Sequence, residues 1–217
     1  MRPPQVDALW CGMPIDAYVW TTPNGFKALI LLEELGLPYT PHWIDITKGD
    51  QKSPEFTAIN PNHKIPAIVD SDTQTTVFES GAIAVYLADK TGKLLAKEGP
   101  ARYTALEWVF FNIGGTGPML GQLGFFSKFA PEKIPLAIDR YTNEAHRLFG
   151  VLDRRLGEAK YLAGDDFTIA DIINFTWANA GRTFLGLDLS KYTHLTRWLD
   201  ELAKRPAFEK ALAMKKA

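Results

Sequence analysis

The spacing of apolar residues changes character near Gly92. Before that point short β-rich runs alternate with helical patterns. After it helical spacing dominates. The run IDAYVW at 15–20 reads as a strand. In the following NGFKALILLEELG, Ala28, Leu31, Leu32 and Leu35 recur at helical spacing, and Gly36 and Pro38 stop the helix. Residues 39–46 predict a second strand, and Pro41 puts it at a sheet edge. SPEFTAIN offers Ser53 as a cap and Pro54 at the first helical position. IPAIVD and TTVFE read as strands joined by the turn-like SDTQ, and SGAIAVYLADKTG as a helix ending at Gly92.

The first ninety or so residues therefore read βαβ-α-ββα. The last two strands are close enough for an antiparallel hairpin, whereas the first two need a helical crossover. A mixed four-stranded sheet with helices, of thioredoxin type, is the expected α/β N-terminal domain, spanning 1–92 with a short N-terminal extension. KLLAKEGPARYT reads as a linker whose Pro100 opens the next helix. Helices are expected over 101–111, 131–156, 169–184 and 191–204, giving an all-α second domain over 100–217. In FTIADI, Thr168 and Asp171 form a capping-box-like pair, and Ile169, Ile172, Ile173, Thr176 and Trp177 line one face. That helix is expected to be central and buried, with a role in folding.

Composition narrows the function classes. The chain of 217 residues is 46% hydrophobic and 23% charged, with a formal net charge of −1. That balance gives no electrostatic footprint for nucleic acid or an anionic membrane, and the apolar runs fall short of a membrane span. The basic residues Lys204, Arg205, Lys210, Lys215 and Lys216 read as helix-end charges. A single cysteine, Cys11, allows no intramolecular disulfide and suits a reducing compartment. With no signal-peptide pattern at the N-terminus, a cytoplasmic location is expected. His42, His63, His146 and His194 are scattered without ligand spacing, so no metal site is expected. GGTGPMLG looks like a phosphate loop but follows a helical run rather than a strand, and reads as a bend or break in a helix.

Two neighbouring stretches carry the chemistry. INPNHKIPAIVD, 59–70, puts a proline at the head of a strand, and FESGAIAVYLADK, 78–90, puts a Glu-Ser pair at the start of a helix. Alone, each is an ordinary strand start and an ordinary helix cap. Together with the βαβ unit before them they resemble the glutathione transferase family, over a span from about Ile15 to the last helix that includes FTIADI. TPNG, PNHKIPAIVD, FESGAI and GGTGPMLGQ look like the nu class and the related fungal nitrogen-regulator prion branch.

The resemblance implies the glutathione transferase fold and a site for the tripeptide glutathione. It gives Pro66 a cis peptide, so that Ile65 offers its backbone N–H and C=O to the ligand as if to an added strand. Glu79 is expected to take the γ-glutamyl ammonium. Ser80, at a helix N-terminus, is expected to take the carboxylate. Gln51, Asn62 or His63, and Lys64 face the glycyl end, Lys64 being the natural partner of its carboxylate. The loop after the first strand, TTPNG, holds no Tyr, Ser or Cys, and the resemblance assigns Thr22 and Asn24 to the sulfur. Thr22 also reads as the helix cap, which is compatible. Cys11 precedes the first strand and is not expected to be catalytic. Arg140 matches a position that reaches across a dimer to glutathione, with a surface salt bridge as the alternative. Trp108, Phe110, Phe111, Phe125 and Phe126 read as core or dimer interface, some of them lining the acceptor pocket.

The implied enzyme activates glutathione as a thiolate, for disulfide-bond reduction or for conjugation to electrophiles. Its co-substrate is glutathione, its partners are a small electrophilic or disulfide substrate and a second copy in a homodimer, and neither nucleic acid nor membrane is involved. A peroxidase toward organic hydroperoxides and a non-catalytic glutathione-binding regulator are the alternatives. The regulator branch carries an Asn/Gln-rich N-terminal tract, which residues 1–14 lack.

Overall fold

The computed structural model describes residues 13–215; Cys11 lies outside them. The α/β part is built from β1 (Ile15–Val19), α1 (Pro23–Leu35), β2 (Tyr39–Trp43), a 3₁₀ turn (Asp50–Lys52), α2 (Pro54–Ile59), β3 (Ala67–Asp70), β4 (Thr75–Phe78) and α3 (Ser80–Thr91). The sheet order is β2-β1-β3-β4. β1 and β2 run parallel, with Ile15 opposite Tyr39. β3 is antiparallel to β1, with Ile68 opposite Ala17, and antiparallel to β4 through the hairpin. This is the mixed thioredoxin-type sheet expected from the sequence, with the Pro41 strand at an edge.

Alternation in β1 decides which face is covered. Ile15, Ala17 and Val19 are buried on the face covered by α1. On the opposite face Tyr18 packs against Phe56 of α2 and stacks on His42. Gly25 lets α1 start close to the strand it follows: a Cβ there would collide with the Trp20 carbonyl oxygen. α1 ends in a Schellman motif. Gly36 sits at φ 67, its N–H bonds Glu33, and the Leu37 N–H bonds the Leu32 carbonyl at 3.0 Å.

The second part is all helical: α4 (Pro100–Phe111), α5 (Gly117–Gly124), α6 (Pro135–Glu158), α7 (Ile169–Thr183), α8 (Thr193–Ala203) and α9 (Pro206–Ala213). α7 is its centre. The Thr168–Asp171 capping box forms. The buried Asp171 carboxylate also accepts from the Leu162 N–H and the Trp198 indole, both at 3.0 Å.

Three expectations shift. The helix expected from 131 starts at Pro135, whose missing N–H suits the first helical position. GGTGPMLG does not break its helix. A π-helical turn, Asn112–Thr116, carries α4 into α5, and a second, Phe125–Phe129, follows α5; the wider turn absorbs Pro118 without ending the rod. The basic C-terminal residues are more than helix-end charges. Pro206 starts α9, and Arg205 makes a two-pronged bond to Glu34 of α1 at 2.6 and 2.8 Å while lying 4.0 Å over the Phe167 ring. Lys210 pairs with Glu33 at 2.8 Å. These contacts clamp α9 onto α1. No helix among the described residues is long and apolar enough to cross a membrane.

Candidate functional site

A cleft of about 450 Å³ lies between the α/β part and the helical part. Its α/β wall is made by the segment entering β3 and by the start of α3. Asn60 is buried, and its side chain ties this segment into shape: Nδ2 donates to the Lys64 carbonyl at 2.6 Å and Oδ1 accepts from the Asn62 N–H at 2.9 Å. Ile65 and Pro66 line the cleft, and the peptide between them is cis. Ile65 stands just outside the ladder, in which Ala67 is paired with Tyr18 and Phe78.

Glu79 sits between β4 and α3 at φ 68, in the left-handed region that glycine favours. A glutamate there costs on the order of 1 kcal/mol or more, which the surrounding structure must sustain. The conformation sets its carboxylate on the cleft, with Asn62 Nδ2 donating to it at 3.3 Å. Glu79 does not cap α3 with its side chain, and the first turn of α3 carries no acid. The first amides of α3, together with Ser80, therefore face the cleft as an anion site.

The opposite wall belongs to the helical part. Trp177 of α7 donates its indole N–H to Asn24 Oδ1 at 2.9 Å. An indole nitrogen only donates, so the facing atom of Asn24 is its oxygen, and the amide Nδ2 is left to donate elsewhere. Thr22 Oγ1 accepts from the Gly25 N–H at 3.3 Å and caps α1; its own hydrogen remains available. Deepest in the cleft is Lys27, 1% exposed, whose Nζ donates to Asn112 Oδ1 at 2.7 Å and Ser80 Oγ at 3.3 Å. Burial pushes its ammonium down to about 7, against the pull of the Glu79 carboxylate.

The residues expected from the sequence fall into two groups. Asn24, Lys64, Ile65, Glu79 and Ser80 line the one cleft. Thr22, Gln51, His63 and Arg140 stand outside its lining. Gln51 is close in fold to His63, whose Nδ1 lies 3.2 Å from the Gln51 carbonyl and 3.4 Å from Thr57 Oγ1; Gln51 Oε1 is buried without a partner. Arg140 is exposed on α6. Of the aromatic set, Trp108 and Phe111 pack on the core, while Phe110 and Phe125 are exposed. The sequence reading did not find Lys27, Asn112 or the link from Trp177 to Asn24. A lysine beside the apolar stripe of α1, four residues before Leu31, is the one signal that pointed there. Among the described residues no group of three or more His, Cys, Asp or Glu is placed to hold a metal ion.

A thioredoxin-type domain joined to a helical bundle, with a polar cleft between them that carries a strand edge, an acid and a helix N-terminus, is the architecture of the glutathione transferases. Residues 21–90 match the family model of the glutathione S-transferase N-terminal domain and residues 117–206 that of its C-terminal domain, and the chain belongs to this family. It is 45% identical over 203 residues to the disulfide-bond oxidoreductase YfcG of Escherichia coli (strain K12), covering 91% of this chain and 94% of that protein. Among solved structures it is similar to a glutathione transferase family member from Pseudomonas fluorescens pf-5 with two glutathione bound, at TM-score 0.86 and 43% identity over 93% of each chain. It is also similar to the glutathione transferase URE2P6 from Phanerochaete chrysosporium in complex with oxidized glutathione, at TM-score 0.88 and 38% identity, over 92% of this chain and 95% of that one.

Proposed function

We propose that the protein is a glutathione-dependent enzyme that holds glutathione in this cleft and uses its thiolate to reduce disulfide bonds. The observation that carries the reading is the placement of Ile65, Glu79 and the N-terminus of α3 around one cavity. Together they match a strand-like tripeptide with an ammonium and a carboxylate at one end. The Ile65 backbone pairs with the cysteinyl residue and sets the sulfur in register. Glu79 takes the ammonium and Ser80 the carboxylate. Lys64 meets the glycyl carboxylate at the rim, with Gln51 and His63 on that side; the unpartnered Gln51 Oε1 suits an amide donor.

Asn24 Nδ2, the Thr22 hydroxyl and the N-terminal dipole of α1 stabilise the thiolate. The thiolate attacks one sulfur of the substrate disulfide, forming a mixed disulfide and releasing the other sulfur as a thiol. A second glutathione thiolate then attacks the glutathione sulfur, releasing the second thiol and leaving oxidised glutathione. Both electrons come from glutathione. The relatives named above, an oxidoreductase of disulfide bonds and structures holding two glutathione or oxidized glutathione, support this route over conjugation alone.

The enzyme acts as a homodimer, with Arg140 directed to the cleft of the second copy. The exposed Tyr103 and Phe110 on α4 support an apolar interface. A cytoplasmic setting suits a chain with one cysteine. The test is steady-state turnover of a model disulfide, an organic hydroperoxide and an aryl halide by the wild type, Thr22→Ala and Asn24→Ala. Disulfide turnover is expected to dominate and to fall about 10- to 100-fold in Asn24→Ala. Glutathione binding with all three rates at background would instead make the protein a regulator.

A further inference from the structure

Lys27 has no role in the arrangement just described, yet it is the most deeply buried charge in the cleft. An ammonium out of water is costly unless an anion meets it. Here the two oxygens in contact with it, Asn112 Oδ1 and Ser80 Oγ, are both neutral. Glu79 acts on it through space, but its carboxylate is turned to Asn62. Other charges on the elements packed around α1 are engaged elsewhere, Arg182 of α7 with Asp200 among them. On β1, Asp16 is bound to His42. On α3, Asp89 is bound to Arg102 and Lys90 to Asp70. On α7, Asp171 serves Leu162, Thr168 and Trp198, and on α9, Lys210 meets Glu33. Lys64 shares the cleft and is itself a cation. Among the described residues no carboxylate oxygen is therefore in contact with the Lys27 ammonium.

The geometry also says where a counter-ion belongs. A hydroxyl has one hydrogen and two lone pairs. Lys27 occupies a lone pair of Ser80 Oγ, so the Ser80 hydrogen is free to be donated to a ligand. An anion bound by Ser80 and the first amides of α3 is then separated from the ammonium by a single hydroxyl. Asn112, held in the π-helical turn of the other domain, keeps the ammonium in place: its Oδ1 takes one N–H while its Nδ2 has no partner.

We propose that Lys27 is the cation that anchors the γ-glutamyl carboxylate of glutathione through the Ser80 hydroxyl, and that it takes up a proton from solvent when the ligand binds above neutral pH. The inference rests on the glutathione reading of the cleft. It makes Lys27 a positioning residue, acting on the ligand through Ser80. Burial holds its ammonium at about 7, so at pH 8 only about a tenth of the molecules carry the proton. A carboxylate arriving one hydroxyl away favours the charged form. The proton that Lys27 lacks above neutral pH then enters with the ligand.

The experiment is calorimetric titration with S-methylglutathione, which has no thiol proton to lose, at pH 8 in phosphate and in Tris. The two buffers differ in ionisation heat, and the difference counts protons. Wild type is expected to take up more than half a proton per site. Lys27→Met and Lys27→Gln are expected to lose that uptake and to bind about 10- to 100-fold more weakly at pH 6.5, the loss shrinking by pH 9. A merely structural lysine would leave the proton count and the pH dependence unmoved. A wild-type count near zero overturns the proposal without reference to the variants, as does an unchanged count and affinity in variants that melt cooperatively. Absence of any binding by the wild type overturns the glutathione reading and this inference with it; binding without proton uptake overturns this inference alone.

Discussion

Lys27→Met is expected to make the ligand-free protein more stable, by an amount that depends on pH in one direction only. The side chain is 1% exposed, and burial lowers its ammonium from 10.5 to about 7. Each unit is worth about 1.4 kcal/mol, so holding the protonated lysine in the fold costs about 5 kcal/mol below pH 7. The folded value is depressed, so the unfolded chain binds the proton more tightly between about 7 and 10.5. Stability therefore rises with pH across that window, is complete above it, and is lost as pH falls to about 7. Methionine has a similar length and no charge, but leaves Asn112 Oδ1 without its donor, a loss of about 1–3 kcal/mol at every pH. The net gain for Lys27→Met is about 2–4 kcal/mol at pH 6 and close to zero at pH 9. Urea denaturation of both proteins at equal concentration, at pH 6, 7.5 and 9, measures the difference directly. The Asn112 loss does not titrate, so the change of about 2–3 kcal/mol between pH 6 and 9 isolates the buried charge. Two stability curves that run parallel over this range would refute the reasoning.

Two other perturbations test how the site is supported. Asp171→Ala removes the acceptor for the Thr168 and Leu162 N–H groups and the Trp198 indole; it should cost about 3–5 kcal/mol by urea denaturation, and a loss under about 1 kcal/mol would contradict the central place given to this carboxylate. Trp177→Phe keeps a ring in place but frees the Asn24 amide; glutathione affinity should stay within about threefold while disulfide turnover falls about tenfold and its pH profile moves upward with the thiol, and an unchanged profile would mean that Asn24 does not act on the sulfur.

The sheet was legible because its signals are local. Alternation in IDAYVW, the Gly36 stop, the short gap between IPAIVD and TTVFE and the edge-strand Pro41 each fix a choice within a few residues. The capping box at Thr168 and Asp171 was legible for the same reason. Part of the cleft lining was also readable, since Ile65, Glu79 and Ser80 lie on a short stretch around two strands. Lys27 was not. Whether a lysine on an amphipathic helix buries its head or snorkels to water depends on what covers it, and the cover here is Asn112, 85 residues further on. Asn112 was hidden in turn by the π-helical turn that carries it, since one extra residue in a turn leaves little trace in an apolar period of 3.6. α9 escaped notice because its lysines and Arg205 read as solvated charges, when three of their contacts are made to Glu33 and Glu34 of a helix at the other end of the chain.

Those long-range contacts share one member. α1 carries Asn24 and Lys27 in its first turns and Glu33 and Glu34 in its last, and the helical part holds both ends. Trp177 and Asn112 bond the first pair, Lys210 and Arg205 the second. The helix that carries Asn24 and Lys27 is therefore fixed along its length by the helical part, which also supplies Asn112, Gly117, Gly121 and Trp177 to the cleft wall. Such support is what a site needs if it is to lower a thiol pKa, because the donors must already point at the charge when it forms. On the glutathione reading proposed above, the α/β part meets the peptide backbone of the ligand, and the helical part holds Asn24 and Lys27 in place. The α5 residues Pro118 and Gln122 line the same cleft from the helical side.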